Sequence, residues 1–302
     1  HSPGVIGPFG GAAAVAVLMQ LDPLRFRNAL SLAGTQAAGT FAHWGTPTIK
    51  FHQSRGALSG LLAAHLAETG FKAGPEVLTA KHGGLFHLYS DGGDPAAVIA
   101  GLGSDWQLQT ISLRLWPAAS SIQTVITSLL ALVEAHDLRP EGVERITVGL
   151  SKTVHDMHGA LPWDIRFRAL LSTPYVAGVV LHDRRCWFDQ FTPERIADPA
   201  LDAFIRARIS VEVDPEVQGT GAAVTVRTTD GRIHSDRRAH PRGDAADPLR
   251  RAEIVEKFRL SADGLLGAGR AEEAIATIIG IADLADVADL ARLLSDSPAQ
   301  AA

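Results

Sequence analysis

The stretch S-I-Q-T-V-I-T-S-L-L-A-L-V-E-A-H-D-L-R-P-E-G-V-E-R-I-T-V-G-L (121–150) is where the chain changes character. Through His136 its apolar residues recur at helical spacing, and from Val143 they alternate with polar ones at period two. Q-T-I-S-L-R-L (109–115) alternates in the same way just upstream, so the region reads as strand, helix, strand. A helix is expected around 172–183. Further strand signals follow in I-S-V-E-V-D-P (209–215) and in A-A-V-T-V-R-T-T-D-G-R-I-H-S-D-R-R (222–238), the latter folded on the hairpin dipeptide Asp230-Gly231. Strands interleaved with helices predict an α+β layer.

Upstream of this region the pattern is all-helical. F-G-G-A-A-A-V-A-V-L-M-Q (9–20) is small and apolar on nearly every face, as expected of a helix buried within a bundle. Asp22 caps the next helix with Pro23 at its first position, and apolar spacing carries that helix to about Gly39. Another runs from about Arg55 to a stop at Gly70, with T-P-T-I-K-F-H-Q-S (46–54) read as the loop leading into it. Helical periodicity returns after about Asp247, in P-L-R-R-A-E-I-V-E-K-F-R-L, E-E-A-I-A-T-I-I-G-I and A-D-V-A-D-L-A-R-L-L. The fold class predicted is a large all-helical domain (1–108) interrupted by an α+β lid domain (109–245), with 246–302 returning to the helical domain. No internal repeat is evident.

With 46% hydrophobic and 20% charged residues, a chain of 302 can bury a sizeable core. Its net charge of -5 supplies no basic field for phosphates, which argues against nucleic acid as a partner. The single cysteine, Cys186, excludes an intrachain disulfide framework, excludes an iron–sulfur cubane held by this chain's own thiolates, and points to a reducing compartment. No apolar run approaches the roughly 20 residues of a membrane helix, so a soluble, cytoplasmic protein with no membrane partner is expected. The sequence opens on His1 rather than Met, and S-P-G-V-I-G-P-F-G-G reads like the middle of a domain, so an upstream portion is expected to be missing.

Six segments together resemble the MmgE/PrpD (2-methylcitrate dehydratase) family: H-S-P-G-V-I-G-P-F-G-G-A-A-A-V (1–15), A-L-S-L-A-G-T-Q-A-A-G-T (29–40), I-K-F-H-Q-S-R-G-A-L-S-G-L-L-A-A (49–64), L-S-T-P-Y-V-A (171–177), F-D-Q-F-T-P-E-R (188–195), and P-R-G-D-A-A-D-P-L followed by E-K-F-R (241–259). No one of them is specific; their order and spacing carry the resemblance. It implies a helical domain with an α+β lid, a homodimer, a cleft between domains as active site, no cofactor and no metal. It also implies lyase or isomerase chemistry on small polycarboxylic acids, and that roughly the first third of a normal member precedes this chain.

Such chemistry needs cations for the carboxylates, a base for a carbon-bound proton, and an acid for the leaving group or carbanion. Arginine holds carboxylates by a two-point fork, and histidine serves as acid or base near neutral pH. By resemblance His1, His52 and Tyr175 are the acid–base candidates, and Lys50, Arg55 and Arg114 the substrate-binding cations. Read as an extended segment, Lys50 and His52 face one side. The family commonly has a lysine where Ile49 stands, one position before Lys50. Arg114 replaces a frequent lysine; it keeps the charge but cannot deliver a proton. Gln123 stands where a histidine is frequent. The structural alternatives are a surface Lys50, a capping His52, an exposed Arg55 and a buried Tyr175 with its hydroxyl satisfied.

H-D-M-H (155–158) offers two histidines but nothing nearby to complete a metal triad, and D-G-R-I-H-S-D-R-R (230–238) reads as a solvated hairpin face. The functional expectation is a cofactor-independent dehydratase or decarboxylase of a di- or tricarboxylic acid acting by proton abstraction next to a carboxylate. Epimerisation of an amino- or imino-dicarboxylate is the rival within enzymes. A non-catalytic fragment keeping only dimerising and lid parts is the rival from another class.

Overall fold

The computed structural model describes residues 1–295. It divides into two compact units, His1–Trp106 and a second that begins at Gln107.

The first unit is built on three helices, α1 (Ser2–Leu18), α2 (Pro23–Gly34) and α3 (Thr48–Glu68). Asp22 caps α2 as expected, its Oδ1 accepting from the Arg25 backbone N–H at 2.9 Å. Alanines dominate where the three helices meet: Ala12 and Ala16 of α1, Ala29 and Ala33 of α2, and Ala63, Ala64 and Ala67 of α3 are all buried, with Leu32 beside them. Glycines set the approach of α1 to α3. A Cβ on Gly60 would lie 2.4 Å from the Ala12 nitrogen and 2.6 Å from the Gly11 carbonyl carbon, and one on Gly56 would lie 2.9 Å from the Pro3 carbonyl oxygen and 3.4 Å from Gly7 Cα. Gly7/Gly11 and Gly56/Gly60 therefore form matched four-residue spacings that let the backbones touch.

Two expectations for this unit are corrected. Helix α3 begins at Thr48 rather than near Arg55. Nothing in T-I-K-F-H-Q-S breaks a helix, and Pro47 immediately before it is tolerated because the first N–H groups of a helix need no intrahelical acceptor. Helix α2 stops at Gly34, where the hydroxyl of Thr35 and the amide of Gln36 both turn back to the Leu32 carbonyl at 2.7 and 3.3 Å. The Gly/Ala face of α1 meets α2 and α3, while Val17 and Leu18 are 65% and 81% exposed. After α3 come only short turns of helix, α4 (Leu85–Tyr89) and α5 (Pro95–Ile99).

In the second unit α6 (Gln123–His136) leads into β1 (Val143–Leu150). A crossover of α7 (Lys152–His158), α8 (Arg166–Ala169), α9 (Thr173–Asp183), α10 (Pro193–Ile196) and α11 (Pro199–Arg208) then brings β2 (Ile209–Val213) alongside β1. β3 (Ala222–Thr228) and β4 (Ile233–Arg238) complete a mixed sheet of order β2-β1-β3-β4, β1 parallel to β2 and antiparallel to β3. The β3–β4 turn is the expected Asp230-Gly231 hairpin, with Gly231 at φ +85°. Central β1 is buried at Val143, Ile146, Val148 and Leu150, while edge strand β4 exposes alternate residues and pairs Arg238 with Asp236 at 2.7 Å. Helix α9 packs against α6 and α11, and Gly178 admits the Ile205 side chain, which would stand 2.5 Å from a Cβ there.

The strand expected at 109–115 is not one. Gln107–Thr110 is a 3-10 turn and the following residues make no ladder; Leu113 N–H bonds to the Gly243 carbonyl at 2.8 Å and Ser112 Oγ to Asp244 at 2.6 Å. The alternation I-S-L-R-L does not mark a buried face, since Ile111 is 54% exposed. The last helices, α12 (Arg251–Leu266), α13 (Ala268–Ile279) and α14 (Val287–Ser295), match the returning periodicity. They group with the residues from Gln107 onward. Two ties hold α12 there: Arg242 Nη2 to Glu253 at 2.6 Å, and Lys257 Nζ to the Arg114 carbonyl at 2.5 Å.

Gly60→Ala should lower the stability of the first unit by roughly 1–3 kcal/mol through overpacking against α1. Gly10→Ala, where a Cβ meets nothing within 4 Å, should be neutral or stabilising through helix propensity. Denaturant titration of the two variants checks this; equal stabilities would contradict the contact.

Candidate active site

The α1–α3 packing sets the geometry of the first unit's polar cluster. His1 is the N-cap of α1, and His52 lies in the second turn of α3. Because the glycines let those helices close up, the two imidazoles meet with Nδ1 to Nδ1 at 3.1 Å and ring centroids 5.1 Å apart. A hydrogen bond between two imidazole nitrogens holds one proton: one ring donates, the other accepts.

The loop between α2 and α3 closes around this pair. The His1 backbone nitrogen donates to the Gly39 carbonyl at 2.8 Å. A Cβ on Gly39 would come within 3.3 Å of the His1 carbonyl oxygen and 3.4 Å of His52 Nδ1, so a side chain there would crowd the rings. Phe41 lies 6.0 Å from the His1 ring and stacks on Trp44 at 5.1 Å. Arg55, three residues after His52 and so on the same face of α3, donates from Nη1 to the Gln36 carbonyl at 3.1 Å. Gln36 is held in turn by its amide donating to the Ser59 carbonyl at 3.2 Å. The result is a half-buried imidazole pair with an aromatic wall and a guanidinium one helical turn away, a set that can relay a proton beside an anion.

Lys50 does not share that face. On a helix, two residues of separation place it about 200° round the axis from His52, and it is exposed. The expectation of Lys50 and His52 side by side on an extended segment is therefore corrected.

In the second unit Arg114 is exposed, and its backbone carbonyl takes the Lys257 ammonium. Burial first, and then the Arg114 charge, pushes the Lys257 pKa below its ordinary value. Tyr175 is wholly buried, with its hydroxyl donating to the Gln190 carbonyl at 2.6 Å, and burial pushes its phenol well above the usual range. That is the geometry of the structural alternative. Gln123 is buried too, its side-chain amide donating to the Trp116 carbonyl at 3.1 Å and its oxygen accepting from the Trp116 N–H at 3.2 Å. Among the described residues no three His, Cys, Asp or Glu side chains converge as a metal site would require. No helix among them is long and apolar enough to cross a membrane.

Sequence reasoning missed Gln36, Gly39 and Phe41 as parts of the cluster. The segment holding Gln36 and Gly39 carries the family resemblance, but its role as the loop seating His1 and Arg55 needs the fold.

Residues 1–97 match the MmgE/PrpD N-terminal domain and residues 116–280 the MmgE/PrpD C-terminal domain. The chain is 27% identical over 304 residues to the cis-aconitate decarboxylase-like protein oryM of Aspergillus oryzae, covering 93% of this chain and 62% of that protein. It is 26% identical to the cis-aconitate decarboxylases of Aspergillus terreus, over 93% of this chain and 61% of the relative, and of Homo sapiens, over 94% and 60%. The chain thus spans about three-fifths of the length of these curated relatives, 62% in the first case. Matched in order by both domains over most of its length, the chain belongs to the MmgE/PrpD family.

Proposed function

We propose that this chain carries the proton-transfer centre of a lyase acting on a small di- or tricarboxylic acid, with decarboxylation of a cis-aconitate-like substrate as the reaction. The observation that supports it is the His1–His52 contact at 3.1 Å with Arg55 on the same helix face. Two of the relatives named above, from Aspergillus terreus and Homo sapiens, are cis-aconitate decarboxylases.

Loss of CO2 from an allylic carboxylate leaves an electron pair that moves into a new carbon–carbon double bond and displaces the old one. The far carbon then needs a proton. A hydrogen-bonded imidazole pair suits that step, because the ring that gives its Nε2 proton to carbon can take the shared proton at Nδ1, while its partner regains a proton at Nε2 from water. Arg55 supplies a fork for a carboxylate that stays on the substrate. A dehydratase would use the same pair in reverse order, first removing a proton next to a carboxylate.

Turnover is measured by CO2 release and by proton NMR of the product, with cis-aconitate and 2-methylcitrate offered separately. His52→Gln should lower kcat by about 10²–10⁴-fold, the usual worth of a general acid–base group. Arg55→Lys should act chiefly by raising KM for cis-aconitate. Rates unchanged by both substitutions would remove the pair from the chemistry. Calorimetric titration covers the case of binding without turnover: cis-aconitate should bind more tightly than a monocarboxylate of similar size, and equal affinities would contradict an anion site.

Homodimer formation belongs to the same proposal. Analytical ultracentrifugation at micromolar concentration should show a dimer, and a single monomeric species would contradict it.

A further inference from the structure

Ser121 and His158 take no part in the chemistry above, yet they form a pair with a defined proton order. His158, in the last turn of α7, is fully buried, and its Nδ1 lies 2.7 Å from the Leu171 carbonyl. A carbonyl oxygen only accepts, so Nδ1 carries the hydrogen and the tautomer is fixed. Nε2, on the other side of the ring, then presents its lone pair to Ser121 Oγ at 2.7 Å. Burial depresses the His158 pKa below its ordinary value, so the ring is neutral near pH 7 and able to accept a proton.

Ser121 itself is partly exposed, unlike the histidine behind it. It sits in the 3-10 turn Ser120–Ile122, directly ahead of the 14-residue helix α6. A helix N-terminus next to the serine favours negative charge developing nearby. The serine borders a cavity of about 660 Å³ walled by Val154, Met157, Val213 and Val217, with Lys152 also lining it. That volume is in the range of small-molecule sites.

We propose that Ser121 and His158 are a nucleophile–base pair that hydrolyses small carboxylic esters or thioesters whose acyl group enters this cavity. Ser121 Oγ attacks the carbonyl carbon; the Oγ–C bond forms and the C–O or C–S bond to the leaving group breaks. The hydroxyl proton passes to His158 Nε2 and from there to the departing oxygen or sulfur. Water then attacks the acyl-serine, gives a proton to Nε2, and releases the carboxylic acid as the serine recovers its hydrogen. The Leu171 carbonyl holds the ring in the tautomer this needs, the part played by a third group in other nucleophile–base pairs.

The 302-residue chain is incubated with p-nitrophenyl acetate, and separately with a fluorophosphonate that phosphonylates serine as fluoride leaves; adducts are located by peptide mass spectrometry. The expected result is one adduct, on Ser121, and p-nitrophenol release that falls at least about 100-fold in Ser121→Ala. Should that variant fail to fold, Ser121→Cys provides the second reading: its introduced thiol should be alkylated by iodoacetamide well ahead of buried Cys186. Adducts scattered over other side chains, no adduct at all, a release rate unchanged in Ser121→Ala, or an introduced thiol no more reactive than that of Cys186 would each overturn the proposal.

Discussion

The contact on which the first unit depends is backbone against backbone, where Gly11 of α1 meets Gly60 of α3 and Gly7 meets Gly56. Helices carrying ordinary side chains pack with axes about 8–10 Å apart. Bare glycines remove the spacer, and only then does an N-cap residue of one helix come within hydrogen-bond reach of a residue in the second turn of the other. The His1–His52 contact is thus a consequence of packing some distance along the helices from it. The same closeness explains the alanine-rich core, since large side chains do not fit between backbones held this near.

The second unit solves a different problem. A short mixed sheet has two faces and two edges to cover. The crossover between β1 and β2 supplies α9 and α11, α6 lies over β3 and β4, and the edge at β4 is left charged. Buried polar groups are paired as the helices pass one another: Gln123 with the Trp116 backbone, Tyr175 with the Gln190 carbonyl, His158 with Leu171 and Ser121. Two of these belong to segments that sequence reasoning weighed as functional. Burial gives Tyr175 a structural bond, whereas for His158 it fixes a proton position beside a half-exposed hydroxyl.

Most elements were legible because their signals were local. Asp22-Pro23 capped a helix, V-E-R-I-T-V-G-L alternated as a central strand does, and Asp230-Gly231 turned a hairpin. The errors share a cause. Residues 48–54 have no helix breaker but also no clear apolar stripe, so only packing of Ile49 and Gly56 against neighbours shows the helix starting at Thr48. Residues 111–115 alternate without a partner strand, and alternation alone cannot tell a ladder from an exposed connection. For the site, the family resemblance points to His1, His52 and Arg55, and the fold brings them near one another. Strand periodicity puts Lys50 beside His52, whereas helix α3 turns its side chain to the other face. Gln36 and Gly39 act through backbone carbonyls and an absent side chain, which carry no chemical signature in a sequence.

The proposed proton-transfer centre stands or falls on the single proton held between His1 Nδ1 and His52 Nδ1. Nitrogen-15 NMR of the histidine-labelled chain reads it directly, since two nitrogens joined by a hydrogen bond show a scalar coupling across it. The expected result is such a coupling between these two nitrogens, its loss in Gly60→Ala, where the helices are forced apart, and a shift of both resonances when cis-aconitate is added. Two uncoupled imidazoles whose resonances ignore the acid would contradict it.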